Sequence, residues 1–197
     1  MAFDILIKNG TIIDGTGGLR YKSDLGITGG KISAIGSLEE AEAGMVIDGT
    51  GLVVCPGFID MHSHSDVTLL DDPLGESKAY QGVTTEVVGN CGFSPYPIGD
   101  AGREGAENSY MSSRYPWTWT NLDGWAETLE SNKIGINVAP QVGHSAIRAA
   151  VGLMEDRRPT PEELKKMQRL VPESIEQGAF SLSTGLTVSP SMYGDTD

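Results

Sequence analysis

Two histidines separated by one residue are the part of this sequence best suited to bind a metal. His62 and His64 follow the mostly apolar segment 52–59, which is typical of a buried strand. In an extended chain, residues two apart point to the same side, so the two imidazoles are expected to converge. Converging imidazoles where a buried strand ends make half of a zinc site. Two unrelated histidines near a loop are the alternative, but the chain has only three histidines, which favours the metal interpretation.

Two further candidate residues follow later predicted strands. Cys91 comes after a predicted strand at 84–88, and His144 comes after one at 134–142. A thiolate is a soft and strong zinc ligand, which makes Cys91 a candidate third ligand. A small buried residue in a glycine-rich turn is the alternative. His144 could contact a substrate or cap the next helix, whereas Cys55 precedes a proline and is expected to be structural.

The first part of the chain predicts a small β domain. Residues 1–55 contain short apolar runs joined by tight turns, and we expect a small antiparallel unit that forms part of a sandwich. Asn9-Gly10 and Gly29-Gly30 are each typical of a two-residue hairpin, because these residues accept a positive φ. A third pair of apolar runs brackets residues 48–51.

Residues 56–197 alternate between predicted strands and helices, which indicates an α/β fold with a parallel sheet. Strands are predicted at 56–62, 84–88, 134–142 and 179–183, and helices at 73–81, 121–131, 145–151 and from Thr160 onward, with a kink or break at Pro172. Four such strands make about half of a (β/α)8 barrel, which typically has about 250 residues. Barrel enzymes carry their active-site groups at the carboxyl ends of the strands, where all the candidate residues fall. A long loop rich in aromatic residues is predicted at 92–120. Within it, residues 110–119 are expected to form a lid over the substrate.

Charge and composition exclude several classes of partner. Acidic residues outnumber basic residues by 27 to 14, and the formal net charge of −13 argues against nucleic acid and anionic membranes. The sequence shows no secretory signal and no apolar run of about 20 residues that would span a bilayer. Two cysteines are too few for a disulfide framework, so we expect a cytoplasmic protein with reduced thiols.

Two motifs make the sequence similar to a known family. Residues 56–64 resemble the first-strand motif of the amidohydrolase superfamily, and residues 89–94 resemble the motif of its D-aminoacylases, or N-acyl-D-amino-acid deacylases. The similarity also includes residues 7–17, 143–144 and 180–186. The resemblance implies zinc-dependent hydrolysis of a linear amide, an N-acyl-D-amino acid. It also implies that His62, His64 and Cys91 occupy metal-binding positions.

The resemblance implies as well that part of the catalytic machinery lies elsewhere. Two further histidine ligands and the catalytic aspartate come from later barrel strands in that family, so no catalytic acid or base is assigned in this chain. We therefore expect the isolated chain to be inactive, and to need a complementary C-terminal segment or to self-associate. Val188 stands where many of these deacylases carry a tyrosine that holds the substrate carboxylate. The alternatives are a cyclic-amide hydrolase of the hydantoinase or dihydropyrimidinase kind, and an inactive truncated fragment.

Overall fold

The computed structural model describes residues 2–99 and 115–195, and these form two compact units. One unit extends to Gly57 and the other begins at Phe58. Residues 100–114, about half of the predicted long loop and part of the predicted lid, lie outside the described residues.

The first unit is built around one long strand. Its strands are β1 (Phe3–Ile12), β2 (Tyr21–Thr28), β3 (Lys31–Gly36), β4 (Ala43–Asp48) and β5 (Val53–Val54). The sheet order is β3-β2-β1-β4, and β5 also pairs with β1. The β1–β2 and β2–β3 pairs are antiparallel, whereas β4 and β5 both run parallel to β1. The sheet is therefore mixed rather than purely antiparallel, because the two apolar runs around residues 48–51 follow β1 in the same direction.

Only one of the two predicted two-residue hairpins is present. Gly29 and Gly30 have positive φ angles and connect β2 to β3, which confirms that prediction. The Asn9-Gly10 prediction is wrong, because both residues lie inside β1 at a shift in its register with β2. Asn9 donates its backbone N–H to Asp24 Oδ1 (2.8 Å), and a Cβ on Gly10 would lie only 2.7 Å from Val54 Cγ2. Glycine is needed here for close packing in a bulge, not for a chain reversal.

The second unit contains a parallel sheet of four strands, as predicted. The strands are β6 (Phe58–Asp60), β7 (Val83–Val88), β8 (Asn137–Gly143) and β9 (Ser181–Ser183). Their order is β6-β7-β8-β9, with every neighbouring pair parallel. Consecutive parallel strands in chain order are the arrangement of the first half of a (β/α)8 barrel. The carboxyl ends of all four strands therefore lie along one edge.

Helices connect these strands, and the structure corrects two of the helix predictions. They are α1 (Thr68–Asp71), α2 (Glu76–Ala79), α3 (Leu122–Ser131), α4 (His144–Ala150) and α5 (Pro161–Glu176). The helix predicted at 73–81 is shorter, because Gly75 adopts a left-handed conformation and the helix α2 begins only after it. α5 runs uninterrupted through Pro172, so the expected break is absent. Among the described helices, none has the length and apolar character needed to cross a bilayer.

The hydrophobic core of the second unit contains all three tryptophans and Tyr96. Trp125 and Leu129 of α3 pack there with Tyr96, and the rings of Trp125 and Tyr96 lie 5.1 Å apart. Trp117 and Trp119 belong to the same core and stack on each other at 5.4 Å. These two residues of the aromatic-rich segment are thus buried rather than spread over a site as a lid.

The start of α5 supplies a prediction about the pH dependence of stability. Thr160 and Glu163 form the predicted capping box, and both oxygens of Glu163 also accept hydrogen bonds from the guanidinium of Arg157 at 2.7 and 2.8 Å. These bonds, Arg157 first and the Thr160 N–H second, lower the pKa of Glu163 from 4.5 to about 2. The carboxylate therefore stabilises the fold above its unfolded pKa, and this contribution disappears as the pH falls through the folded pKa.

We expect the Glu163→Gln variant to have a lower melting temperature than the parent at neutral pH. The difference should shrink as the pH is lowered from about 4.5 towards 2, where the parent carboxylate becomes protonated. Thermal unfolding at a series of pH values measures it, with Glu162→Gln, an exposed neighbour in the same helical turn, as the control. A difference that stays constant across this range would contradict the prediction.

Candidate metal centre

The structure brings His62, His64 and Cys91 together. Their ligand atoms all lie within 4.8 Å of one another, and Cys91 Sγ is 3.3 Å from His62 Nε2. The two imidazole rings are 5.3 Å apart and meet edge to face. Both histidines are exposed and Cys91 is half-buried, so an ion could reach the cluster from solvent.

The ends of two neighbouring strands place these side chains. β6 ends at Asp60 and β7 ends at Val88, and both strands run in the same direction. The turns that follow them therefore meet at one edge of the sheet. The histidines lie beyond β6, so their convergence comes from the turn after the strand and not from the alternation of side chains along it.

Cys91 has an unusual backbone conformation that helps to aim its thiol. Its φ of 56° is left-handed, and Gly89 and Gly92 on either side also have positive φ. For a residue with a side chain this conformation costs about 1–2 kcal/mol. Such strain persists only where the surroundings hold the backbone in place.

Hydrogen bonds from both sides hold this strained turn. Asn90 Nδ2 donates to the carbonyl oxygen of Ser63, between the two histidines, at 3.2 Å. On the other side, the Gly92 N–H donates to Ser183 Oγ at 3.0 Å, and that hydroxyl donates in turn to the carbonyl of Gly89. The Cys91 turn is thus tied to the histidine segment and to the end of β9.

The electrostatic setting of His64 favours the neutral form that binds metals. Partial burial lowers its pKa, and the nearby His62 adds to this because two imidazolium ions would repel each other. A neutral imidazole offers a free lone pair on one ring nitrogen.

Beside the cluster lies a charged network that sequence reasoning missed. Lys78 Nζ from α2 lies 2.5 Å from Asp60 Oδ2 and 3.0 Å from Glu86 Oε1. The side chain of Glu86 is fully buried, although it belongs to β7. The Asp60 hydrogen bond and the Glu86 contact raise the pKa of Lys78 against the opposing effect of burial, and the Lys78 hydrogen bond is the main cause that lowers the pKa of Asp60. An acidic residue within the predicted strand that leads to Cys91 was the available signal.

A second buried carboxyl group lies two residues after His64. Asp66 is fully buried, and neither of its carboxyl oxygens has a hydrogen-bond partner among the described residues. Burial is the main cause that raises its pKa to about 7. This carboxyl therefore lacks the solvation that favours its charged form.

His144 lies at the end of the third strand of the sheet, β8, outside the three-residue cluster. It is the first residue of α4, and Gly143 occupies the cap position without a side-chain cap bond, so His144 does not cap this helix. Its Nδ1 lies 3.3 Å from Thr184 Oγ1, beyond the end of β9. Burial, followed by the charge of Arg148, lowers its pKa. The substrate contact predicted for His144 stays a prediction.

Comparison with known proteins places the chain in a family. Residues 45–191 match the model of the amidohydrolase family, which includes both strand ends that carry the cluster. The chain belongs to the amidohydrolase family. Within this family it is 37% identical over 187 residues to the N-acyl-D-glutamate deacylase of Alcaligenes xylosoxydans xylosoxydans and 38% identical over 195 residues to the D-aminoacylase of the same organism. The resemblance to the deacylase branch of the amidohydrolases is thus confirmed.

Solved amidohydrolase structures share the fold. The crystal structure of the N-acyl-D-glutamate deacylase from Bordetella bronchiseptica, in complex with zinc and a phosphonate inhibitor, superposes with a TM-score of 0.91 and 36% identity. The match covers 99% of this chain and 41% of that structure. The two Alcaligenes relatives are likewise matched over 95% and 99% of this chain, but over only 38% and 40% of their own length. The chain therefore spans about two fifths of the length of these amidohydrolases.

The three side chains fit the chemistry of a zinc ion. Imidazole nitrogens and a thiolate are preferred zinc ligands, and a tetrahedral ion with standard bond lengths spaces its ligand atoms about 3.3–3.8 Å apart. Cys91 Sγ and His62 Nε2 already lie at 3.3 Å, and the whole cluster closes to within 4.8 Å. This group of residues could hold a metal ion with small side-chain movements.

Proposed function

We propose that this chain supplies the first half of a zinc-dependent hydrolase of N-acyl-D-amino acids. One observation carries the proposal: a His-x-His pair and a cysteine, from two separate turns, converge to within 4.8 Å at the edge where the sheet strands end. Relatives that share this part of the chain at 36–38% identity are deacylases of N-acylated D-amino acids.

The residues of this chain would have two tasks in such an enzyme. His62, His64 and Cys91 would hold the zinc ion, and His144 would contact the substrate at the neighbouring strand end. When bound, the zinc ion supplies the Lewis acidity that polarises an amide carbonyl and activates water. The free thiol at Cys91 needs reducing conditions, which suits a cytoplasmic location.

The general acid and base and the remaining ligands would come from a complementary C-terminal segment. β6 and β9 are the outer strands of the parallel sheet, and the backbone groups on their outer sides offer an edge for further strands. Apolar side chains at these two strands are also at least half exposed, namely Phe58 and Ile59 of β6, Leu182 of β9 and Phe180 directly before β9. Without that segment we expect no turnover, and association of the chain with copies of itself through the same edges.

Hydrolysis assays test this function. Zinc-loaded chain is assayed alone and after mixing with a C-terminal segment that completes the barrel, on an N-acyl-D-amino acid, its L enantiomer and a hydantoin. We expect the D substrate to be hydrolysed only when both pieces are present. Preferred turnover of the hydantoin would support the cyclic-amide alternative. If the 197-residue chain does not bind zinc, the remaining alternative is that it is an inactive truncated fragment.

A further inference from the structure

We propose that Lys78 is a positioning residue that holds the two histidines against the Cys91 turn by joining two carboxylates, Asp60 and Glu86. The inference rests on the proposed function, because it assigns a role within the same metal centre. Lys78 lies outside the cluster itself, so it would act only through the residues that it joins.

The network begins with the position of the lysine ammonium group. Lys78 Nζ contacts Asp60 Oδ2 at 2.5 Å and Glu86 Oε1 at 3.0 Å, so one cation joins the end of β6 to the middle of β7. The lysine side chain is 30% exposed, whereas that of Glu86 is completely buried. A buried carboxylate needs a compensating charge, and Lys78 is in place to provide it.

Both carboxylates also hold the histidine segment. Asp60 Oδ1 accepts the backbone N–H of His62 at 3.1 Å. Glu86 accepts the hydroxyl of Ser63 on one oxygen at 2.9 Å and that of Ser65 on the other at 2.5 Å. The residues on both sides of His64 are therefore bound to one carboxylate, and His62 is bound through its backbone to the other.

The same network reaches the turn that carries the thiol. Glu86 lies on β7, the strand that leads directly to Cys91. Ser63, which Glu86 holds by its hydroxyl, also accepts the Asn90 amide at its carbonyl oxygen. Histidines and cysteine thus share one set of hydrogen bonds that has Lys78 at its charged centre.

Removal of the ammonium group would leave the two carboxylates facing each other without compensation. Their repulsion and the need of Glu86 for solvent would pull Asp60 and the serines away from their present partners. The ligand atoms would then have to be brought together by the metal itself. Loss of a group that orients metal ligands typically reduces metal affinity about 10–100-fold.

Cobalt binding and hydrogen exchange test the role of Lys78 on the full chain. Co²⁺ reports its ligand geometry through visible absorption, and a Cys91→Ser variant identifies the thiolate band. The variants are Lys78→Met and Lys78→Arg, with Lys166→Met on the exposed side of α5 as the matched control. If Lys78→Met does not fold, a double variant that combines Lys78→Met with Glu86→Gln is used in its place. This variant removes the charges of both Lys78 and Glu86. Amide exchange of residues 61–66 is measured in the metal-free chain.

We expect Lys78→Met to bind Co²⁺ about 10–100-fold more weakly with an altered spectrum, and Lys78→Arg to recover most of the affinity. Amides of residues 61–66 should exchange faster in Lys78→Met, whereas those of α3 should not change. A folded Lys78→Met variant with parental affinity and spectrum would overturn the inference while leaving the proposed function intact. If the parent itself binds no Co²⁺, the proposed function fails, and unchanged exchange at residues 61–66 would then overturn the positioning role as well.

Discussion

The Cys91→Ser variant is expected to bind zinc more than about 100-fold more weakly than the parent chain, since loss of a direct ligand exceeds the 10–100-fold effect of losing an orienting group. In the parent chain the Cys91 thiol lies 3.3 Å from His62 Nε2. The neutral hydroxyl of serine is a far poorer zinc ligand than a thiolate. Competition with a chromophoric chelator near neutral pH measures the dissociation constant.

The second cysteine supplies a matched control for this experiment. Cys55 is free and exposed, and it belongs to the first unit, whereas the cluster belongs to the second. A Cys55→Ser variant makes the same chemical change and should keep the parental affinity. Equal affinities for the two variants would show that Cys91 does not ligate zinc, and the metal centre would have to be assigned to other residues.

A second large effect is expected on stability when Gly89 is replaced by alanine. Gly89 precedes the Cys91 turn with a φ of 80°, and a Cβ at this position would lie 2.2 Å from the carbonyl oxygen of Gln141 in β8. No side-chain rotation moves a Cβ away from a backbone carbonyl, so β7 and β8 would have to separate. We expect the free energy of unfolding to fall by at least about 3 kcal/mol, more than the left-handed conformation alone costs.

A Gly82→Ala variant separates the cost of the left-handed backbone from the cost of the clash with Gln141. It precedes β7 with the same φ of 80°, but its Cβ would meet only the ring of Phe58 at 3.3 Å, and that side chain is largely exposed and free to move. Gly82→Ala should therefore cost about 1–2 kcal/mol. Urea unfolding followed by tryptophan fluorescence measures both, because all three tryptophans lie in the core of the second unit. Equal losses for the two variants would contradict the assigned clash.

The convergence of His62, His64 and Cys91 could be predicted because its signals are local. His-x-His and the Asn-Cys-Gly turn each follow a short apolar run, and the rule that parallel strands end at one edge brings them together. The N-terminal cap of α5 could also be predicted, since Thr160 and Glu163 are three residues apart and each side chain bonds the backbone N–H of the other. Both depend on neighbours in the sequence, and both are present in the structure.

The remaining features depend on partners that the sequence does not bring close. Lys78 and Glu86 form a pair only because α2 folds back over β7, and an isolated glutamate in a strand equally suggests a solvent-facing position. Asn9-Gly10 resembles a hairpin turn, but Val54, more than forty residues later, packs against it and makes it a bulge. Local propensity yields to tertiary packing in both places.

The position of β1 makes the first unit depend on a single segment. Residues 3–12 form the strand to which β2, β4 and β5 all pair. Loss of this segment would remove the centre of the sheet and leave β4 and β5 without a partner among the described strands. The unit should therefore unfold as a whole rather than lose its strands one at a time.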